Sequence, residues 1–170
     1  ALSTPEPMKA QAVYQTVSLG LRYNGAVKGH LFDNLANDYV NKAFTLGRTA
    51  GNENCHMRGF VRFQELESGI LYSKISPKNN LLTFLMEHFA DRLPIENFVL
   101  HDEGRGLFGV HPAGKQWYLL SGAEVCTEAD RFRLSERELH YQELFRYFCH
   151  KIAIKDRENL KLQRNMLPLR

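Results

Sequence analysis

Between Glu87 and Arg105 the chain reads EHFADRLPIENFVLHDEGR and gathers the side-chain types that do chemistry. His88 and Arg92 are four residues apart near the end of a predicted helix, so they project close together where the last unpaired carbonyls favour positive charge. His101 and Asp102 follow the apolar run Asn97-Phe98-Val99-Leu100, read as a short strand, and Gly104 and Gly106 open a turn around Arg105. With His56 these residues form a candidate catalytic set. A histidine beside a carboxylate can act as a general base, and arginines can stabilise developing phosphoryl charge. Histidine and aspartate are also competent ligands for a divalent metal, but no HxH or HExxH pattern completes a metal site. Neighbouring strand residues point to opposite faces, which argues against a literal His101–Asp102 dyad. The same residues also fit a well-solvated edge, and both readings stand at this point.

A second set lies near the C-terminus, in IAIKDRENLKLQRNMLP (152–168). Lys155, Arg157, Lys161 and Arg164 are interleaved with Asn159 and Asn165, and guanidinium, ammonium and amide groups all donate to phosphate oxygens. The alternative is a solvated helix end. Trp117, Phe108 and Tyr118 could stack an unpaired base, against the simpler reading that they fill the core of a sheet.

The elements that must position these residues follow from periodicity. Residues 8–48 read as helical in two or three pieces, with the stripes Met8, Ala12, Val13, Val17 and Leu31, Leu35, Val40, Phe44, Leu46. Asp33 and Asn34 are candidate starts for the later helix. Gly47 to Asn54 reads as a polar loop. GFVRFQEL (59–66) and residues 70–75 form an antiparallel hairpin about Ser68-Gly69. A helix from Asn79 or Asn80 to Asp91 follows, then strands at 97–100, 107–110 and 116–120. Ser135-Glu136-Arg137-Glu138 matches a capping box, and Tyr141, Leu144, Phe145, Phe148 and Ile152 read as the buried stripe of a long C-terminal helix. The expected fold is α+β: a small antiparallel sheet of about five strands with a helical N-terminal region. A single domain is expected over 1–170, with a helical part at 8–48, the sheet and one helix at 55–121, and a basic helical part at 124–170.

The bulk numbers suit this reading. A 44% hydrophobic and 24% charged content in 170 residues supports one folded core. No run reaches the roughly 20 apolar residues of a bilayer span, so no membrane partner is expected. The opening ALSTPEPMKAQ has neither the basic nor the apolar region of a secretory signal and no initiator Met, and suggests a trimmed chain. Cys55, Cys126 and Cys149 form no CxxC pair and read as buried thiols of a cytoplasmic protein. Neither GxxxxGK[ST] nor GxGxxG occurs, and no cofactor or metal is expected. The net charge of +3 is modest but uneven, with the excess of Lys and Arg in residues 131–170, which points to a polyanionic or acidic partner.

The blocks CHMRGFVRF (55–63), EHFADRLP (87–94), VLHD (99–102) and IAIKDRENLKLQRNMLP (152–168) together resemble a bacterial family of unknown function associated with DNA metabolism. The likeness runs from about Glu53 to the C-terminus and more loosely before it. It implies neighbours rather than a reaction. Members lie beside a DNA modification or repair radical SAM protein, and related chains are fused to a uracil-DNA glycosylase-like domain. Members also carry an extra N-terminal segment and continue with aromatic residues after the Pro168 region. No catalytic residue is carried over from the family. The chain lacks a CxxxCxxC triad, so it is not itself the radical SAM enzyme. Three readings follow: a DNA- or RNA-binding accessory factor in repair or modification, a nucleic-acid-processing or phosphate-directed enzyme, or an interaction subunit of the radical SAM protein.

Overall fold

A computed structural model describes residues 1–22, 34–123 and 132–162. Contacts divide the chain into two compact units, Ala1–Gly59 with Pro77–Leu85, and Phe60–Ser76 with Met86–Arg170. Among the described residues, no helix is long and apolar enough to cross a membrane.

In the first unit, helix α1 (Lys9–Arg22) is followed by α2 (Asp38–Phe60). The start of α2 is set by Asn37, whose side-chain oxygen accepts from the backbone N–H of Tyr39 (3.0 Å) and Val40 (3.3 Å), as an N-cap does. The expected start at Asp33 lies outside the described residues, and Asn34 precedes the helix. The buried positions Val40, Ala43 and Ala50 recur at helical spacing and carry α2 through the glycine-rich stretch expected to be a loop. Packing here overrides a propensity penalty of about 1 kcal/mol for each glycine. Where Met8 and Val17 were expected inside, α1 buries Ala12 and Thr16. Thr16 Oγ1 donates to the carbonyls of Ala12 (2.7 Å) and Tyr39 (3.2 Å), which a bulkier apolar residue could not do. Leu35 and Phe44 are exposed rather than buried. Glu53 accepts from the backbone N–H groups of Lys78 and Asn79 and from Asn79 Nδ2, and so fastens the Pro77–Asn79 turn to α2.

The second unit is built on a five-stranded sheet in the order β1 (Gln64–Glu65), β2 (Leu71–Ile75), β3 (Phe98–Asp102), β4 (Leu107–His111), β5 (Tyr118–Ser121). The fold is α+β as the periodicities indicate. The first strand is much shorter than expected, because α2 runs on to Phe60. Helix α3 (Leu82–Arg92), whose residues from Met86 onward belong to this unit, lies between β2 and β3 in sequence and makes their pairing parallel; the other three pairs are antiparallel. The turns use glycines with positive φ where side chains are strained, Gly69 (75°) between β1 and β2 and Gly106 (60°) between β3 and β4.

β3 alternates cleanly, with Phe98, Leu100 and Asp102 buried on one face and Val99 and His101 half-buried on the other. On the first face Phe63 meets the rings of Phe89 and Phe98 edge-on, at 5.1 and 5.4 Å. Met86 occupies the space above Gly109, where a Cβ would collide with its thioether. That face therefore carries α3. Helix α4 (Glu136–Ile152) starts as expected at Ser135, whose hydroxyl accepts from Glu138 N–H (3.0 Å). The capping box is not closed. Glu138 accepts instead from the backbone N–H of Glu65 (3.2 Å) and from Gln142, while Ser135 N–H donates to Glu65 O (2.9 Å). The stripe Tyr141, Leu144, Phe145, Phe148, Ile152, expected to be buried, is exposed, because α4 is tied to β1 through its polar Glu138 edge. Helical character is not continuous beyond it: Ala153 is the C-cap and a short 3-10 turn (Lys155–Arg157) follows.

Candidate functional site

The register of the sheet brings one chemically able cluster together. Parallel pairing sets Lys74 beside His101 and Tyr72 beside Val99, and antiparallel pairing sets Phe108 opposite His101. All five project from the face of the sheet opposite α3. His101 lies flat on Phe108, centroids 4.0 Å apart at 11°. The Tyr72 hydroxyl is hydrogen-bonded to His101 Nδ1 at 2.8 Å; with the imidazole proton on Nε2, the phenol donates. Phe132 packs on the Tyr72 ring at 4.9 Å. Glu103 and Lys74 form an ion pair of 2.9 Å beside them.

The electrostatics follow from this burial. Loss of water pushes the Tyr72 phenol up to about 12, with the Glu103 carboxylate adding to the effect. Burial moves His101 down from its ordinary value, against the pull of Glu103, so the ring is held neutral. The hydrogen bond from Lys74 lowers Glu103. The phenol fixes the neutral imidazole's tautomer and leaves its Nε2–H able to donate to a polar group at the rim of the sheet.

Asp102 is not part of this cluster. It faces the other way, is 0% exposed, and accepts from Arg105 Nη1 (2.9 Å) and from the Arg105 backbone N–H (3.3 Å). A Cβ on Gly104 would lie 3.5 Å from its carboxylate oxygen. Asp102 and Arg105 thus clamp the β3–β4 turn. His101 and Asp102 are the last two residues of β3, where the turn begins. His88, half-buried against Phe89, and exposed Arg92 lie one turn apart on α3, the helix on the opposite face from His101. His56 is exposed on α2, in the first unit. Of the six candidates, the structure therefore pairs Asp102 with Arg105 and sets His101 among partners not singled out from the sequence: Tyr72, Lys74 and Glu103. The period-two pattern of β2 marks Tyr72 and Lys74 as one face, but only the parallel register places that face beside His101. Among the described residues, no group of three or more His, Cys, Asp or Glu is placed to hold a metal ion.

Comparison with known families settles the kinship. A family model described as a domain of unknown function, DUF4130, matches residues 7–170. The chain belongs to this family. No curated protein and no solved structure matches it.

The C-terminal part of this DUF4130 chain exposes Lys155, Arg157, Asn159 and Lys161. Asn159 Oδ1 accepts from Leu162 N–H (2.9 Å), so its NH₂ is the group left to donate outward. Arg164 and Asn165 lie outside the described residues, as does Cys126. Cys55 and Cys149 are free and exposed, not buried as expected. Phe108 fills the sheet, Trp117 is half-buried and Tyr118 is exposed.

Proposed function

We propose that this DUF4130 domain is a cytoplasmic accessory factor of DNA metabolism, binding nucleic acid through its basic C-terminal segment in the company of a radical SAM repair or modification protein. One observation carries the reading. Lys155, Arg157 and Lys161 are all exposed, and among the described residues none is engaged in an ion pair. Cations not engaged in an ion pair can turn to phosphate oxygens, and binding of this kind releases counterions. The asparagine amide between them adds a neutral donor of the sort that fixes register on a backbone. The resemblance to proteins of DNA metabolism supports DNA as the polyanion.

Fluorescence anisotropy of labelled single- and double-stranded DNA over a salt series tests this. Binding should weaken steeply with salt. The variant Lys155→Ala/Arg157→Ala/Lys161→Ala should lose about 2 units of log–log salt slope on single strands, or about 3 on duplex, if each residue meets one phosphate. Absence of binding at low salt removes the reading.

A further inference from the structure

Helix α4 is held to the sheet at its first turn and just before it, and none of its residues is buried. Ser135 N–H donates to Glu65 O (2.9 Å), Glu138 accepts from Glu65 N–H (3.2 Å), Glu67 N–H donates to Arg133 O (2.9 Å), and Leu66 bridges Leu134. At the head of this seam Phe132 packs on the Tyr72 ring at 4.9 Å. Tyr72 in turn gives its hydroxyl proton to His101 Nδ1 at 2.8 Å, its one hydrogen-bond partner among the described residues. The seam therefore rests on a phenol, 6% exposed, whose proton is received by a titratable ring.

We propose that the Tyr72–His101 pair is a pH-sensitive latch: protonation of His101 releases Phe132 and the β1–α4 seam while the rest of the sheet stays folded. An imidazolium donates from both ring nitrogens. Its Nδ1–H would confront the phenol's own proton, which must then turn away into buried surroundings. A buried donor without an acceptor is costly, and opening the seam removes the cost by letting water reach the phenol. The groups around the pair do not relieve the conflict. β2 sets Lys74 beside His101, Glu103 beyond the end of β3 is paired with Lys74, β4 presents Phe108, and β1 sets Gln64 beside Tyr72. Asp102 lies on the other face with Arg105. Burial already moves His101 down from its ordinary value, which fixes the sign. Above about pH 6.5, the ordinary value of histidine, the ring is neutral in closed and open forms alike. Below it the open form takes up a proton that the closed form resists, so acid favours opening. Opening at the seam alone is easier than global unfolding because α4 buries no side chain. This inference does not depend on nucleic-acid binding, and its test contains no DNA.

Hydrogen exchange of the full chain, read by mass spectrometry from about pH 7.5 to about pH 5 and corrected for intrinsic rates, tests the latch. Peptides covering α4 and β1 should lose protection by up to about tenfold per pH unit, the limit for one linked proton, while β3 and β4 keep theirs. The window lies above the range where carboxylates ordinarily titrate, which keeps the Glu138 contact out of the response. His101→Gln retains an acceptor for the phenol and removes the titration, so its α4 protection should not change with pH. Tyr72→Phe removes the opposing proton and leaves the stack of His101 on Phe108 in place. There the His101 titration, followed by NMR, should move up towards the ordinary value, and the acid loss of α4 protection should shrink. Protection lost equally in every element, α4 protection that does not respond to acid, or an acid response kept by His101→Gln would each overturn the proposal. A His101 titration unmoved in Tyr72→Phe would overturn it too.

Discussion

Tyr72 should make the protein sensitive to alkali in a way that a single atom removes. Its phenol is buried, bonded to His101 and pushed up to about 12. Below pH 10 the group is protonated in both folded and unfolded chains and contributes no slope. Above pH 10 the unfolded chain releases the proton while the folded one keeps it, so stability falls by about 1.4 kcal/mol per pH unit until the folded group ionises near 12. A shift of about 2 units amounts to about 2.7 kcal/mol lost over that window. Tyr72→Phe removes the ionisation and also the hydrogen bond to His101, at about 1 kcal/mol. The wild type should therefore be the more stable by about 1 kcal/mol at pH 8, with the curves crossing near pH 11 and the order reversed beyond. Urea unfolding of both proteins at intervals from pH 8 to the alkaline limit measures the difference directly. Other groups that titrate there act on both alike and cancel. A difference that stays constant across the range would refute the burial argument.

Two packing predictions accompany it. Gly109→Ala drives a methyl into the Met86 thioether and should cost about 1–2 kcal/mol, overpacking offset in part by a less flexible unfolded chain. Met86→Ala alone should cost about 2–5 kcal/mol, and the double variant clearly less than the sum; strict additivity in urea midpoints would deny the contact. Arg105→Ala leaves the fully buried Asp102 carboxylate without its cation and should cost about 2–4 kcal/mol, below the full range for buried pairs because Arg105 is 26% exposed. A thermal midpoint unchanged in that variant would return Asp102 to the list of catalytic candidates.

Turn chemistry and alternation made most of the second unit legible. Gly69 and Gly106 stand where the turns need positive φ, Ser135 caps α4, and the apolar runs of β2, β3 and β4 lie within a residue or two of their strands. Alternation also separated His101 from Asp102 correctly. What it could not show was partnership. The type and order of Asp102 and Arg105 suit catalysis as well as a turn clamp, and only burial decides between them. Tyr72 became a partner of His101 through the parallel β2–β3 register, whereas local spacing had suggested antiparallel neighbours alone. The passage of α2 through Gly47 and Gly51 depends on Val40, Ala43 and Ala50 having something to pack on, which no local propensity reveals. The α4 stripe shows the converse: helical periodicity identifies an apolar face without saying what covers it.

The diverted capping box has a consequence for how the chain folds. A helix must form its first turn before each further residue adds a bond, and that first turn is the costly step. In α4 the groups that ease it are shared with the sheet: Glu138 holds the Glu65 N–H, and Ser135 N–H holds the Glu65 carbonyl. The two-residue strand β1 is equally short of bonds on its own, with only β2 beside it in the sheet. Each element is thus the other's nucleus. α4 and the β1 edge should gain protection from hydrogen exchange together, as one cooperative unit, rather than as a helix that forms early and docks later.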